Sequence, residues 1–148
     1  MKSHEFSELA KWLFDNQKTP ASFRTATSRA YYSALHLAIE VLKDMGITLT
    51  RSVNKHTIVP DILQNSGVEE VVKSGEILSS LHVIRNNADY DLDDSYADTD
   101  AIVETAFIES AKIIGKLNSF RLGMGNVTSR FERAKTATKD YADRRMGK

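Results

Sequence analysis

Between Pro20 and Met45 the chain writes two apolar stripes onto a single helix. Phe23, Ala26, Ala30, Ala34, Leu37, Val41 and Met45 recur every three or four residues, and Tyr32, Leu35, Ile39 and Leu42 form a second set. A helix that is apolar on two sides cannot rest on a surface; it needs neighbours on both flanks, which puts it at the centre of a domain. Ala26, Ala30, Ser33 and Ala34 are small enough to let one of those neighbours come close. The ends are also written. Thr19 before Pro20 starts the helix, because proline at the first helical position gives up a donor with no partner anyway, and Gly46 stops it.

The remaining segments are helical in the same way. A first helix is expected from about Ser3 to Gln17, with Phe6, Leu9, Ala10, Leu13 and Phe14 on one face. A short one is expected over Lys55–Gln64, with Pro60 as a start or a bend. A fourth runs from about Val68 to Asn87 on Val71, Leu78, Leu81 and Ala88. A fifth runs from about Thr99 to Leu122 on Val103, Ala106, Ile113, Leu117 and Phe120. Gly123-Met124-Gly125 reads as a hinge. Beyond it, Val127, Phe131, Ala134 and Tyr141 make a thin stripe that the polar Thr138 interrupts. No stretch alternates with the period of a strand. The expected class is all-α, with residues 1–122 as a helical bundle and 123–148 as hinge and basic C-terminal helix.

Composition narrows the function classes. A length of 148 residues suits one domain. With no cysteine, disulfide scaffolds, thiolate metal sites and cysteine nucleophiles are excluded. Lys and Arg balance Asp and Glu at twenty each, so no global field points to nucleic acid or membrane. No apolar run reaches the ~18 residues of a membrane helix, and the opening stretch lacks the apolar core of a signal peptide. The expected location is the cytoplasm, with no membrane partner. Charge is nonetheless unevenly spread. Residues 86–100 hold six aspartates and no basic group, while residues 126–148 hold seven basic and three acidic groups.

Arg85 is the most informative position. It lies seven residues from Leu78, hence about 20° from it around a helix, so a guanidinium shares a core-facing stripe and needs a partner there. His82 and Asp89 project from the same side if the helix persists. Two readings stay open: an Arg85–Asp89 ion pair at a helix end, or an arginine aimed at a phosphate in a cleft or dimer interface. The acidic loop begins like a calcium loop at Asp89, Asp91 and Asp93, then fails where Asp94 replaces glycine and Asp100 replaces glutamate. A solvated loop with Asp98 or Asp100 capping the next helix is the expectation. His4, His36, His56 and His82 show no metal-binding spacing, so no metal and no cofactor are assigned. His36 and the Tyr31–Tyr32 pair read as core packing, and Lys55-His56 as a solvent-facing pair or a ligand contact. The basic tail reads as a solvated face, or as a surface for RNA or an acidic partner.

Two stretches resemble a family. Ser28-Arg29-Ala30-Tyr31-Tyr32-Ser33-Ala34-Leu35-His36 and Arg85-Asn86-Asn87-Ala88-Asp89-Tyr90-Asp91-Leu92 are similar to segments of HEPN domains, and Lys55-His56 between them resembles a further common feature. The resemblance spans about residues 5–122. It implies an up-and-down helical bundle forming a two-fold homodimer. It also implies an RNA-related function in a toxin–antitoxin or antiphage defence system. Many members are metal-independent ribonucleases whose R-x4-6-H motif has Arg neutralise the phosphate and His move protons. Arg85 and Asn86 match that motif; Tyr90 stands where the histidine belongs, and a phenol of pKa ~10 is a poor base at neutral pH. Catalytic candidates are therefore Arg85, Asn86, Tyr90 and His82, with Asp89, Lys55, His56 and Tyr32 as binding candidates. A non-catalytic dimeric module partnering a minimal nucleotidyltransferase, with Tyr90 as modification site, is the other reading.

Overall fold

The computed structural model describes residues 1–124 and 129–148, with side chains described outside 124–131. Among the described residues there are six α-helices, one 3-10 turn and no strand. They are α1 (Ser3–Asn16), α2 (Pro20–Asp44), α3 (Lys55–Gln64), α4 (Glu69–Tyr90), a 3-10 turn (Ser95–Asp98), α5 (Asp100–Met124) and α6 (Ser129–Arg145). The architecture is a helical bundle. α2 is its axis, touching α1, α3, α4 and α5, while α3 and α5 also pack on α4.

The central helix forms as its sequence dictates. The Thr19 hydroxyl accepts from the Ser22 N–H, and the Thr19 N–H donates back to Ser22 Oγ, satisfying two donors at the helix start. Gly46 follows the C-terminal Met45 at φ +80°, a left-handed turn that glycine takes without strain. Ala26, Ala34, Ala38, Val41 and Leu42 are fully buried. Burying a side chain such as Leu42 contributes about 1.5–3 kcal/mol. The first-helix stripe holds at Phe6 and Ala10, whereas Leu9 is 45% exposed.

α3 opens at Lys55 because Asn54 caps it, accepting from the His56 N–H. Pro60 lies inside this helix, buried, and does not start it. α3 then lies unusually near α4. A Cβ placed on Gly75 would stand 2.9 Å from Leu63 Cβ, Gln64 Cγ and the Pro60 carbonyl, so only glycine permits that approach.

Three boundaries depart from the sequence expectation. α4 runs on to Tyr90, so Arg85, Asp89 and Tyr90 sit on helix. The expected aspartate cap on the fifth helix is not made by Asp98, which pairs with Arg24 instead, and α5 opens at Asp100. The expected hinge falls differently too: Gly123 and Met124 continue α5, while Gly125 lies outside the described residues. In the tail, Thr138 is not an interruption. It is fully buried, donating to Ala134 and Ser66 carbonyls, and Ala142 beside it belongs to the main core. α6 thus docks on α3 and the turn after it; Val127 and the Phe131 side chain lie outside the described residues.

Candidate functional site

Three helices deliver one cluster of aromatic and charged side chains. α2 supplies Tyr31, Tyr32 and His36, α3 supplies His56 from its first turn, and α4 supplies His82, Arg85, Asn86, Asp89 and Tyr90. Adjacent residues on a helix lie about 100° apart, which favoured opposite surroundings for Tyr31 and Tyr32. Both rings nevertheless enter the cluster, edge to face at 5.5 Å between centroids.

Arg85 is 7% exposed and all three of its nitrogens meet a partner. Nη2 donates to the Tyr32 hydroxyl at 2.8 Å and Nη1 to Asn86 Oδ1 at 3.0 Å. Nε stands 2.7 Å from Asp89 Oδ2, an ion pair whose N–H is not aligned for a hydrogen bond. The Arg85–Asp89 pair is therefore real. It does not exhaust the group: each terminal nitrogen carries two hydrogens, and one on each remains. The guanidinium also lies 5.2 Å from the Tyr32 ring centroid and 5.3 Å from that of Tyr90, which is 72% exposed. Tyr90 thus forms a solvent-facing cover over a buried cation. Asp89 in turn accepts from Ser28 Oγ at 3.2 Å.

The histidines sit one layer away. His56 and His82 stack face to face, 5.1 Å between centroids and 4° between planes, and Tyr31 packs on both at 5.7 and 5.5 Å. The Tyr31 hydroxyl is 2.7 Å from His56 Nδ1. Burial pushes the Tyr31 phenol well above its usual range, so it keeps its hydrogen, and which of the two groups donates in this contact follows the His56 tautomer. A neutral His56 carries its proton on Nε2 where the phenol donates and on Nδ1 where the phenol accepts. Burial lowers both imidazoles from 6.5, helped for His56 by His82 and Arg85 and for His82 by Arg85. His36, stacked on Phe6 at 5.1 Å, is lowered by burial and by Lys55. The Lys55-His56 pair therefore divides: Lys55 faces solvent and His56 turns inward.

A hollow of about 270 Å³ opens between α3 and α4 beside the stacked imidazoles, with Asp61, Gln64 and Ser79 on its other walls. Asp61 is held there by α6, accepting from the Tyr141 hydroxyl at 3.1 Å and pairing with Arg145 at 2.8 Å. A larger hollow of about 370 Å³ lies between α1, α2 and α5, lined by Phe14, Phe107 and Ile114. It brings no cluster of titratable groups with it.

Arg24 is the residue that sequence reasoning passed over. Its Nε pairs with Asp98, Nη1 donates to the carbonyls of Ala88 and Asp91 with Asn87 at the limit, and Nη2 donates to Asp94. One side chain so closes the end of α4 and folds the acidic loop. The signal was present: Arg24, Ser28 and Tyr32 recur at four-residue spacing on the stripe that faces Asp89 and Arg85. Arg29 sits nearby, its guanidinium 5.0 Å from the Tyr32 ring. Among the described residues no three His, Asp or Glu side chains form a metal-holding group, and no helix is long and apolar enough to cross a membrane. No family model, curated protein or solved structure matches this chain.

Proposed function

We propose that this chain is a HEPN-type RNA-acting protein in which Arg85 holds a backbone phosphate, with the chemistry of a metal-independent ribonuclease whose motif has diverged. One observation carries the reading. Two segments some fifty residues apart, 28–36 and 82–90, converge on a guanidinium that keeps two N–H groups free beneath an exposed tyrosine. A phosphodiester needs such a donor pair, because arginine meets two phosphate oxygens at once. The nearby aspartates do not repel RNA at full strength, since Arg85 pairs with Asp89 and Arg24 with Asp98. A two-fold dimer would bring two such clefts together, and a defence or toxin–antitoxin setting accords with the same resemblance.

The test is RNA binding and cleavage in EDTA by the wild type and Arg85→Ala. Loss of the charge-assisted contact lowers affinity roughly ten-fold, and cleavage products carry 2′,3′-cyclic phosphate ends. Equal RNA affinity in both proteins would overturn the phosphate role of Arg85. The exposure of Tyr90 favours a second reading, a non-catalytic module modified by a partner nucleotidyltransferase. It expects a nucleotide-sized mass gain that Tyr90→Phe abolishes.

A further inference from the structure

The segment after Arg85 offers no histidine, yet His82 stands one turn before it on α4 and α3 brings His56 against His82. Resting on the RNA-acting reading, we infer that His82 is the proton acceptor for cleavage and that His56 is a neutral hydrogen-bond donor to the same phosphodiester, its tautomer fixed by Tyr31. The stack sets the division of labour. His56 Nδ1 lies 2.7 Å from the buried Tyr31 hydroxyl; with the phenol donating there, as inferred, His56 presents Nε2–H. Protonating Nδ1 would force the phenol to accept instead of donate, leaving its own hydrogen without a partner. His56 is thereby held neutral and donating, suited to a non-bridging phosphate oxygen.

His82 has no such restraint. It stands one helical turn from Arg85, packed against His56 and Tyr31 and open to the hollow on its other side. A neutral imidazole there can take a proton at ordinary pH. The reaction balances without a metal or redox partner. The 2′-oxygen–phosphorus bond forms and the phosphorus–5′-oxygen bond breaks. The 2′-hydroxyl proton passes to His82, and the departing 5′-oxygen takes a proton from solvent in the hollow. Products are a 2′,3′-cyclic phosphate and a 5′-hydroxyl, and His82 returns its proton to water. Arg85 and His56 hold the two non-bridging oxygens. The one carboxylate on the hollow wall, Asp61, is neutralised by Arg145.

The charged and titratable groups around the pair are Tyr31, Tyr32 and His36 from α2, Asp61 from α3 and Arg85 from α4. With no second titrating acid in the scheme, the cleavage rate rises with pH along one limb and then levels off.

The experiment measures RNA affinity, single-turnover cleavage in EDTA between pH 5 and 9, and thermal unfolding. It compares the wild type with His82→Gln, His56→Gln, His56→Ala and Tyr31→Phe. The inference expects His82→Gln to cleave at least about 100-fold more slowly with RNA affinity and unfolding temperature nearly unchanged. His56→Gln, whose amide still donates, should exceed His56→Ala in rate. Tyr31→Phe, acting only by positioning, should add an acid-side bend to the pH profile as His56 becomes free to protonate. Cleavage indifferent to His82→Gln would overturn the inference and leave the RNA reading standing. RNA binding that depends on Arg85 but brings no cleavage would do the same. Absence of both binding and cleavage would remove the two together.

Discussion

Two arginines enter the same acidic end of the molecule and end up in opposite conditions. Arg24 directs its donors into the loop, onto the Asp98 carboxylate and the carbonyls of Ala88, Asp91 and Asp94. Arg85 meets one carboxylate, one amide and one phenol, keeps two hydrogens unspent, and faces aromatic rings. A cation bonded mainly to backbone fixes the chain's path, and replacing it leaves those carbonyls without their partner. A cation bonded to side chains, with donors left over, can exchange a partner for a ligand. The first has the bonds of a folding contact, and the second is the one for which a phosphate-binding role is proposed. Burial alone would not have separated them, because both are largely enclosed.

Replacing Arg24 should produce the largest effect on stability. Arg24→Ala leaves Asp98 unpaired and several carbonyls unsatisfied, a loss of about 3 kcal/mol in urea unfolding. Arg24→Lys should recover little of it, because an ammonium lacks the fork that reaches four oxygens. If Arg85→Ala destabilised the fold as much while leaving RNA affinity intact, the contrast between the two arginines would collapse.

A smaller effect is expected at Gly75, which lets α4 approach α3. Gly75→Ala puts a methyl group against the Pro60 carbonyl and the Leu63 and Gln64 side chains, costing about 1–3 kcal/mol. The displacement should also separate His56 from His82, so nuclear magnetic resonance of their ring protons should report it directly. Unchanged ring shifts would mean that the stack does not depend on helix spacing.

The smallest effect follows from pH. His36, His56 and His82 have folded-state pKa values below 6.5, so below that pH the unfolded chain binds protons that the folded chain refuses. Their contribution is complete above the unfolded value and is lost as pH falls toward the lowered folded values. The urea midpoint should therefore drop between pH 7.5 and 5.5, and less so in His56→Gln/His82→Gln. A drop of equal size in that double variant would place the acid sensitivity elsewhere.

Much of the bundle was legible because period and punctuation agreed. α3 falls at the bounds expected for it, and those of α2 follow from Thr19-Pro20 and Gly46. The end of α4 was not legible, since a run of aspartates reads as loop. It stays helical because Arg85 pairs with Asp89 one turn on and because Arg24, more than sixty residues away in sequence, takes the terminal carbonyls. The same limit applies to the site. Arg85 stood out as a charge on an apolar stripe, and His82 and Asp89 followed from helical spacing. His56 did not, because its inward turn depends on the Asn54 cap and on the close approach of α3 to α4. Thr138 misled because a hydroxyl that bonds back to its own helix can be buried as readily as an alanine.

The bonds of Arg24 have one more consequence, in the order of assembly. They join positions 63 to 74 residues apart, so no local hairpin of helices can form them; the start of α2 and the end of α4 must already be side by side. Until then six aspartates within fifteen residues repel one another. Closing it carries the entropy cost of a long loop before any bond is gained. The acidic segment is therefore expected to form late in folding, and the surroundings of Arg85 are complete only once it has closed.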